Sequence, residues 1–277
     1  MNSARTLSMI RFLRGTSPKR ARRKLPKQLP PRPIELAYYR EIQRLVVKPI
    51  VKILDQVARA IVRETMLARG EGFRADALTD AAREAVRRMV DAYKPGKLEA
   101  AAKRFAERTD DWNKKELGKQ VSAAMSVPLE KMELRTRDRV PAFVAENVAL
   151  VKKIPETATE RLGKLVTEAL ETGMRPETLA DKIQELGEMS DSDAMRIARD
   201  QIGTLNAQIN QDRQQALGAD SYTWRGVLDN RERDEHRERE GQVFRWDDPP
   251  EDGHPGEPIQ CRCWAEPIFD FLNENEE

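Results

Sequence analysis

With 277 residues, of which 35% are charged, 39% hydrophobic and 5% aromatic, the chain is long enough to bury a core without disulfides, and its composition suits long amphipathic helices. No stretch approaches the roughly 20 apolar residues of a membrane helix, and the N-terminus lacks the apolar core of a secretory signal, so a soluble protein made in a reducing cytoplasm is expected. The formal net charge of +2 hides a polarity: residues 1–32 carry ten Lys or Arg and no acid, whereas residues 229–277 carry 16 Asp or Glu against six Arg.

The first segment, residues 1–33, interleaves Arg11, Arg14, Lys19, Arg20, Arg22, Arg23, Lys24 and Lys27 with Pro18, Pro26, Pro30, Pro31 and Pro33. Prolines at that density exclude a regular helix and predict an extended basic arm. Such an arm suits an anionic surface, either double-stranded DNA or an acidic protein groove, and its binding would be strongly salt-dependent. Ahead of the prolines, Leu7, Met9, Ile10, Phe12 and Leu13 suggest a short helix that docks on a partner.

Residues 34–189 read as an elongated helical body. Ile42, Leu45, Val46, Ile50, Ile53, Leu54, Val57, Ile61 and Val62 recur at spacings of three and four, which predicts an amphipathic helix ending near Gly70, kinked or divided at Pro49. Similar patterns cover 74–94, 97–125, 129–152, 156–172 and 176–187, separated by Pro95-Gly96, Pro128, Pro155 and Gly173. Ser190 with Asp193 then resembles a capping box that opens a new helix, with Ala194, Ala198, Ile202, Leu205 and Ile209 on one face and Gly218 as the stop. Its opposite face, with Arg196, Arg199, Asp200, Asn206, Gln208 and Asn210, reads as solvated.

After Gly218 the composition turns β-favouring. Tyr222, Trp224, Val243, Phe244, Trp246, Trp264 and Ile268 alternate with turn signals at Asp229-Asn230, Asp247-Asp248-Pro249-Pro250 and Gly253-His254-Pro255-Gly256. Residues 190–267 therefore form a compact α+β module of short strands and loops, and 268–277 an acidic tail. The fold class is α+β, mostly helical. Trp224, Trp246 and Trp264 are expected to be core and not a base-stacking platform, because they alternate with apolar strand residues.

The module also holds every His and Cys of the chain: His236, His254, Cys261 and Cys263. Together they supply a tetrahedral ligand set for one structural zinc ion, and so small a module gains from a metal staple. Cys-x-Cys spacing puts the two thiols on opposite faces if the backbone is extended, so both reach one ion only through a turn. The alternative is a pair of reduced, buried cysteines. Catalysis would require a general base, for which Glu232, Glu235 and Glu238 are the candidates, but no His-x-Glu precedes a Cys-x-x-Cys. Arg262, between the cysteines, is expected to pair with Asp229 or Asp234.

The ordered run Trp224…Asp229-x-Arg231…His236…Gly241…Phe244…Pro249…Pro255-Gly256…Cys261-Arg262-Cys263, following Ile197-Ala198-Arg199…Asn206, resembles the Mu-F-type phage minor head (head morphogenesis) proteins over roughly 150–267. Two departures stand out: Arg199-Asp200-Gln201 where the family commonly has Arg-Thr-Glu, and the charged Glu238-Arg239-Glu240 before Gly241. The resemblance implies a non-enzymatic virion component at the portal vertex of the phage head, made in the host cytoplasm. It would act in capsid assembly and in DNA packaging, retention or ejection, with the portal protein, the major capsid or scaffold protein and DNA as partners. A second reading is a metal-dependent DNA-processing or effector protein with a catalytic C-terminal module.

Overall fold

A computed structural model describes residues 25–28, 31–67, 75–125 and 139–269. Helix α1 covers Arg32–Ile42 and passes through a π-helical turn, Gln43–Val47, into α2, Lys48–Leu67. Helices α3 (Ala75–Ala92), α4 (Pro95–Met125), α5 (Arg139–Thr172) and α6 (Pro176–Ala216) follow. The C-terminal part adds β1 (Ser221–Arg225), the short helix α7 (Asp234–Glu238), β2 (Val243–Arg245) and β3 (Trp264–Ile268). No helix among the described residues is long and apolar enough to cross a membrane.

Two compact units interleave along the chain, one built from Leu36–Ala102 and Val144–Ala198, the other from the described residues up to Glu35, Lys103–Phe143 and those from Arg199 onward. In the first unit Ile42, Ile50, Leu54 and Ile61 are buried at the predicted spacing. Pro49 does not break the helix. It has no N–H for the carbonyl four residues back, and the chain adapts by widening the turn before it, where the Lys48 N–H reaches the Gln43 carbonyl. Tyr38 Oη donates to Asn147 Oδ1 at 2.9 Å inside this core, and Tyr39 Oη to Asp191 Oδ2 at 2.6 Å beside it.

Two predicted breaks are absent. Helix α5 runs through Pro155, whose ring removes one helical hydrogen bond, while Val151, Ile154, Ala158 and Leu162 continue the buried stripe on both sides. Packing outweighs the lost bond. Ser190 is likewise not a cap: it lies buried within α6 and its Oγ donates to the Leu186 carbonyl at 2.9 Å, the local alternative open to serine in a helix. Gly218 does stop that helix. With φ of +81° it allows Gly218 N–H to reach the Gln215 carbonyl (2.9 Å) and Ala219 N–H the Gln214 carbonyl (3.0 Å), which is a Schellman ending.

In the second unit the polar face of α6 is less solvated than expected. Asn210, Arg213 and Gln214 are buried; Arg213 is only 1% exposed and donates to Asp110 Oδ1 (2.9 Å) and Asn113 Oδ1 (2.8 Å) of α4. Asn113 also donates to Asn206 Oδ1 at 3.2 Å, and Gln214 Nε2 to the Ala265 carbonyl at 2.9 Å, which fixes β3 on the helix. Residues 25–28 have no regular secondary structure, yet Gln28 is buried and the Pro26 carbonyl accepts from Gln120 at 2.8 Å, so this end of the basic segment is held and not free. The cations Arg11, Arg14, Lys19, Arg20, Arg22, Arg23 and Lys24 lie outside the described residues; Lys27 is exposed.

The strands form one antiparallel sheet in the order β2-β1-β3, with Tyr222 opposite Phe244 and Pro267, and Trp224 opposite Ala265. β1 alternates, burying Tyr222 and Trp224 on the face that also receives Trp246, Cys263 and Ala265. The tryptophans are therefore core, as read from the sequence. An aromatic side chain that buries 150–250 Å² contributes about 4–6 kcal/mol as an upper figure.

Candidate metal centre

Two segments converge beside this aromatic core. Helix α7 is only five residues long, but it places His236 on its inner side, where the ring is 2% exposed and meets Trp224 edge-on at 5.2 Å. The strand-free stretch 261–263 brings in Cys261 and Cys263 just before β3. A turn immediately precedes the Cys-x-Cys segment: Gln260 has a φ of +57°, its N–H donates to Asp200 Oδ1 at 2.7 Å, and Cys261 N–H donates to the Pro258 carbonyl at 2.9 Å. Asp200, one of the departures from the family pattern, thus helps to shape the cysteine loop.

His236 Nδ1 lies 3.6 Å from Cys261 Sγ and 3.5 Å from Cys263 Sγ, and the three ligand atoms fall within 4.8 Å of one another. The other ring nitrogen, Nε2, is 2.8 Å from Asp252 Oδ2, and Asp252 is held in turn by Arg239 at 2.5 Å. Burial works against the Asp252 carboxylate, but the hydrogen bonds from His236 and Arg239 outweigh it and hold its pKa below the ordinary range. The Cys263 S–H beside Cys261 lowers the Cys261 thiol, aided by the Gly256 N–H that donates to Cys261 Sγ at 3.3 Å. Cys263 is pushed up by Cys261, by burial and by Glu232, whose Oε1 is 3.1 Å from its sulfur. One side of the cluster opens on a cavity of about 230 Å³ lined by Arg199, Arg231, Glu232, Gln260 and Arg262 among others.

His254 is not part of this group. It is buried, its Nδ1 is 2.9 Å from Tyr222 Oη, its ring lies 4.8 Å from Trp246, and burial lowers its pKa. Of the four ligands read from the sequence, three come together and the fourth is a hydrogen-bonded core histidine. The remaining motif residues make local contacts around the cluster. Arg262 forks onto Asp229, the pairing expected, and Asp229 Oδ1 accepts the Arg231 N–H at 3.0 Å to close the turn. Gly241, with φ of +81°, donates its N–H to the Trp224 carbonyl at 2.9 Å. Pro255 and Gly256 are buried, and Gly256, with φ of +93°, sits against Ala207. Sequence reasoning missed Asp252; the available signal was an acid 16 residues beyond His236 within a turn cluster, which does not single it out among 16 acids.

A long helix, a three-stranded sheet and a Cys-Arg-Cys loop folded onto a buried histidine make up the segment that resembles a known family. Residues 160–266 match the family described as Phage Mu protein F like protein, so this part of the chain is Mu F-like. A Haemophilus influenzae protein described only as uncharacterized is 29% identical over 241 residues, covering 84% of this chain and 53% of the relative. The chain thus spans about half the length of the relative it matches. No solved structure matches.

Proposed function

We propose that this chain is a minor component of a phage head, seated at the portal vertex and acting in capsid assembly and in the packaging, retention or ejection of DNA. The observation that carries the reading is the match of residues 160–266 to the Mu F-like family, a phage head family. In this reading the C-terminal module is a structural element, not an active site. Two of its charged motif residues agree with that role: Asp229 accepts the Arg262 guanidinium and, through the Arg231 backbone N–H, closes a turn. A structural zinc ion in the module belongs to the same reading. Portal subunits are the principal partner, the major capsid or scaffold protein a further one, and the basic arm follows double-stranded DNA or an acidic groove.

Cross-linking of purified particles followed by mass spectrometry tests the location. Cross-links from Lys24 or Lys27 and from the helical segments to portal subunits are expected. Cross-links confined to the major capsid lattice would contradict placement at the vertex.

A further inference from the structure

The imidazole of His236 offers one lone pair at Nδ1, yet two sulfurs lie at nearly equal distance from it, 3.5 and 3.6 Å. One lone pair accepts one S–H, and the Cys263 S–H has Glu232 Oε1 as its acceptor at 3.1 Å, so hydrogen bonding satisfies the thiols but does not account for both sulfurs standing equally close to one nitrogen. A tetrahedral zinc explains both distances. With zinc–sulfur bonds of about 2.3 Å and zinc–nitrogen bonds of about 2.0–2.1 Å, the nitrogen-to-sulfur edge of the tetrahedron is about 3.5 Å. Asp252 supplies the independent observation. By accepting the Nε2 proton at 2.8 Å it fixes the tautomer that leaves Nδ1 bare toward the sulfurs, the carboxylate–histidine arrangement typical of ligating imidazoles.

We propose that the module binds one zinc ion through His236 Nδ1, Cys261 Sγ, Cys263 Sγ and the Glu232 carboxylate. The inference deepens the reading of the module as structural, because a closed four-ligand set leaves no open position for a reacting water. Glu232 takes the fourth place on three grounds. Its Oε1 is already 3.1 Å from Cys263 Sγ, against an oxygen-to-sulfur edge of about 3.5 Å in a zinc tetrahedron. It borders the same cavity as the three other ligands, while its second oxygen accepts the Leu228 N–H, a bond that monodentate ligation preserves. His254, the other nitrogen available, is committed to Tyr222.

Binding displaces the thiol protons to solvent and leaves two thiolates and a carboxylate around a divalent ion. The net negative charge faces Arg199, Arg231 and Arg262 on the cavity wall. Paired thiolates with imidazole favour zinc over the harder magnesium or calcium.

The test is metal analysis of the purified full chain, with zinc K-edge absorption to count ligands and the variants Cys263→Ser, Glu232→Gln and His254→Gln. The expected result is one zinc per chain with two sulfur and two nitrogen or oxygen ligands. His254→Gln should keep it, Cys263→Ser should lose it, and Glu232→Gln should bind at least about tenfold more weakly. A chain that takes up no zinc when supplied with it would overturn the proposal, as would loss of zinc in His254→Gln. Unchanged affinity in Glu232→Gln would overturn the fourth ligand. The ligand count uses the unmodified chain, so it stands even if a variant misfolds, and zinc content is read independently of whether the protein sits at a portal.

Discussion

His236 and Asp252 form a hydrogen-bonded pair, Nε2 to Oδ2 at 2.8 Å, that points the free face of the imidazole at two thiols. Because Asp252 lies outside the proposed ligand set, Asp252→Asn tests orientation apart from coordination. The amide can present its NH₂ to Nε2 and favour the other tautomer. Zinc affinity, measured by competition with a chromogenic chelator, should fall about 10- to 100-fold, while the metal-to-protein ratio at saturation stays unchanged.

Asp229 gives a pH prediction. Hydrogen bonds from the Arg262 guanidinium, then the Arg231 N–H, hold its carboxyl far below the usual carboxylate range. A folded-state pKa below the unfolded value of about 3.9 means that its stabilisation is complete above that pH and is lost as pH falls through the depressed value. Asp229→Asn should therefore unfold at lower urea concentration than the parent at pH 7, and the gap should narrow as pH is lowered below about 4. A gap that widens on acidification would reverse the assigned sign.

Arg213 is the largest charged side chain in the core of its unit, and it donates to both Asp110 and Asn113. Replacing it by alanine takes these donors from a partly buried carboxylate and leaves a void. Arg213→Ala should cost about 3 kcal/mol in chemical denaturation. Arg213→Lys should recover only part of that, since an ammonium cannot reproduce the fork.

Two glycines predict opposite signs. Gly256 has φ of +93° and a Cβ there would collide with the Ala207 methyl, so Gly256→Ala should destabilise by about 1–3 kcal/mol. Gly96, in the first turn of α4, has open space for 4 Å around the point where a methyl group would sit, and Gly96→Ala should stabilise by about 0.5 kcal/mol. Thermal melts of the two variants distinguish these outcomes.

Much of this was legible in the chain because the signals were local. Three-and-four spacing from Ile42 to Ile61 placed the first long helices, alternation placed Tyr222 and Trp224 in the sheet core, and Gly218 ended its helix where a positive φ was needed. The failures were tertiary. Pro155 and Ser190 carry local stop and start signals, but buried stripes that continue past them outweigh a single missing hydrogen bond. The same applies at the thiol–imidazole cluster: residue type drew in His254, whereas its contact with Tyr222, 32 residues away, removes it, and the roles of Asp252 and Glu232 depend on loop geometry that no spacing encodes.

The central claim, a minor component of the phage head, is tested most directly by quantitative mass spectrometry of purified DNA-filled particles, counting this chain against the portal and the major capsid protein. A low, reproducible copy number comparable to that of the portal is predicted. Absence from such particles, or a count that tracks the major capsid protein, would contradict the account.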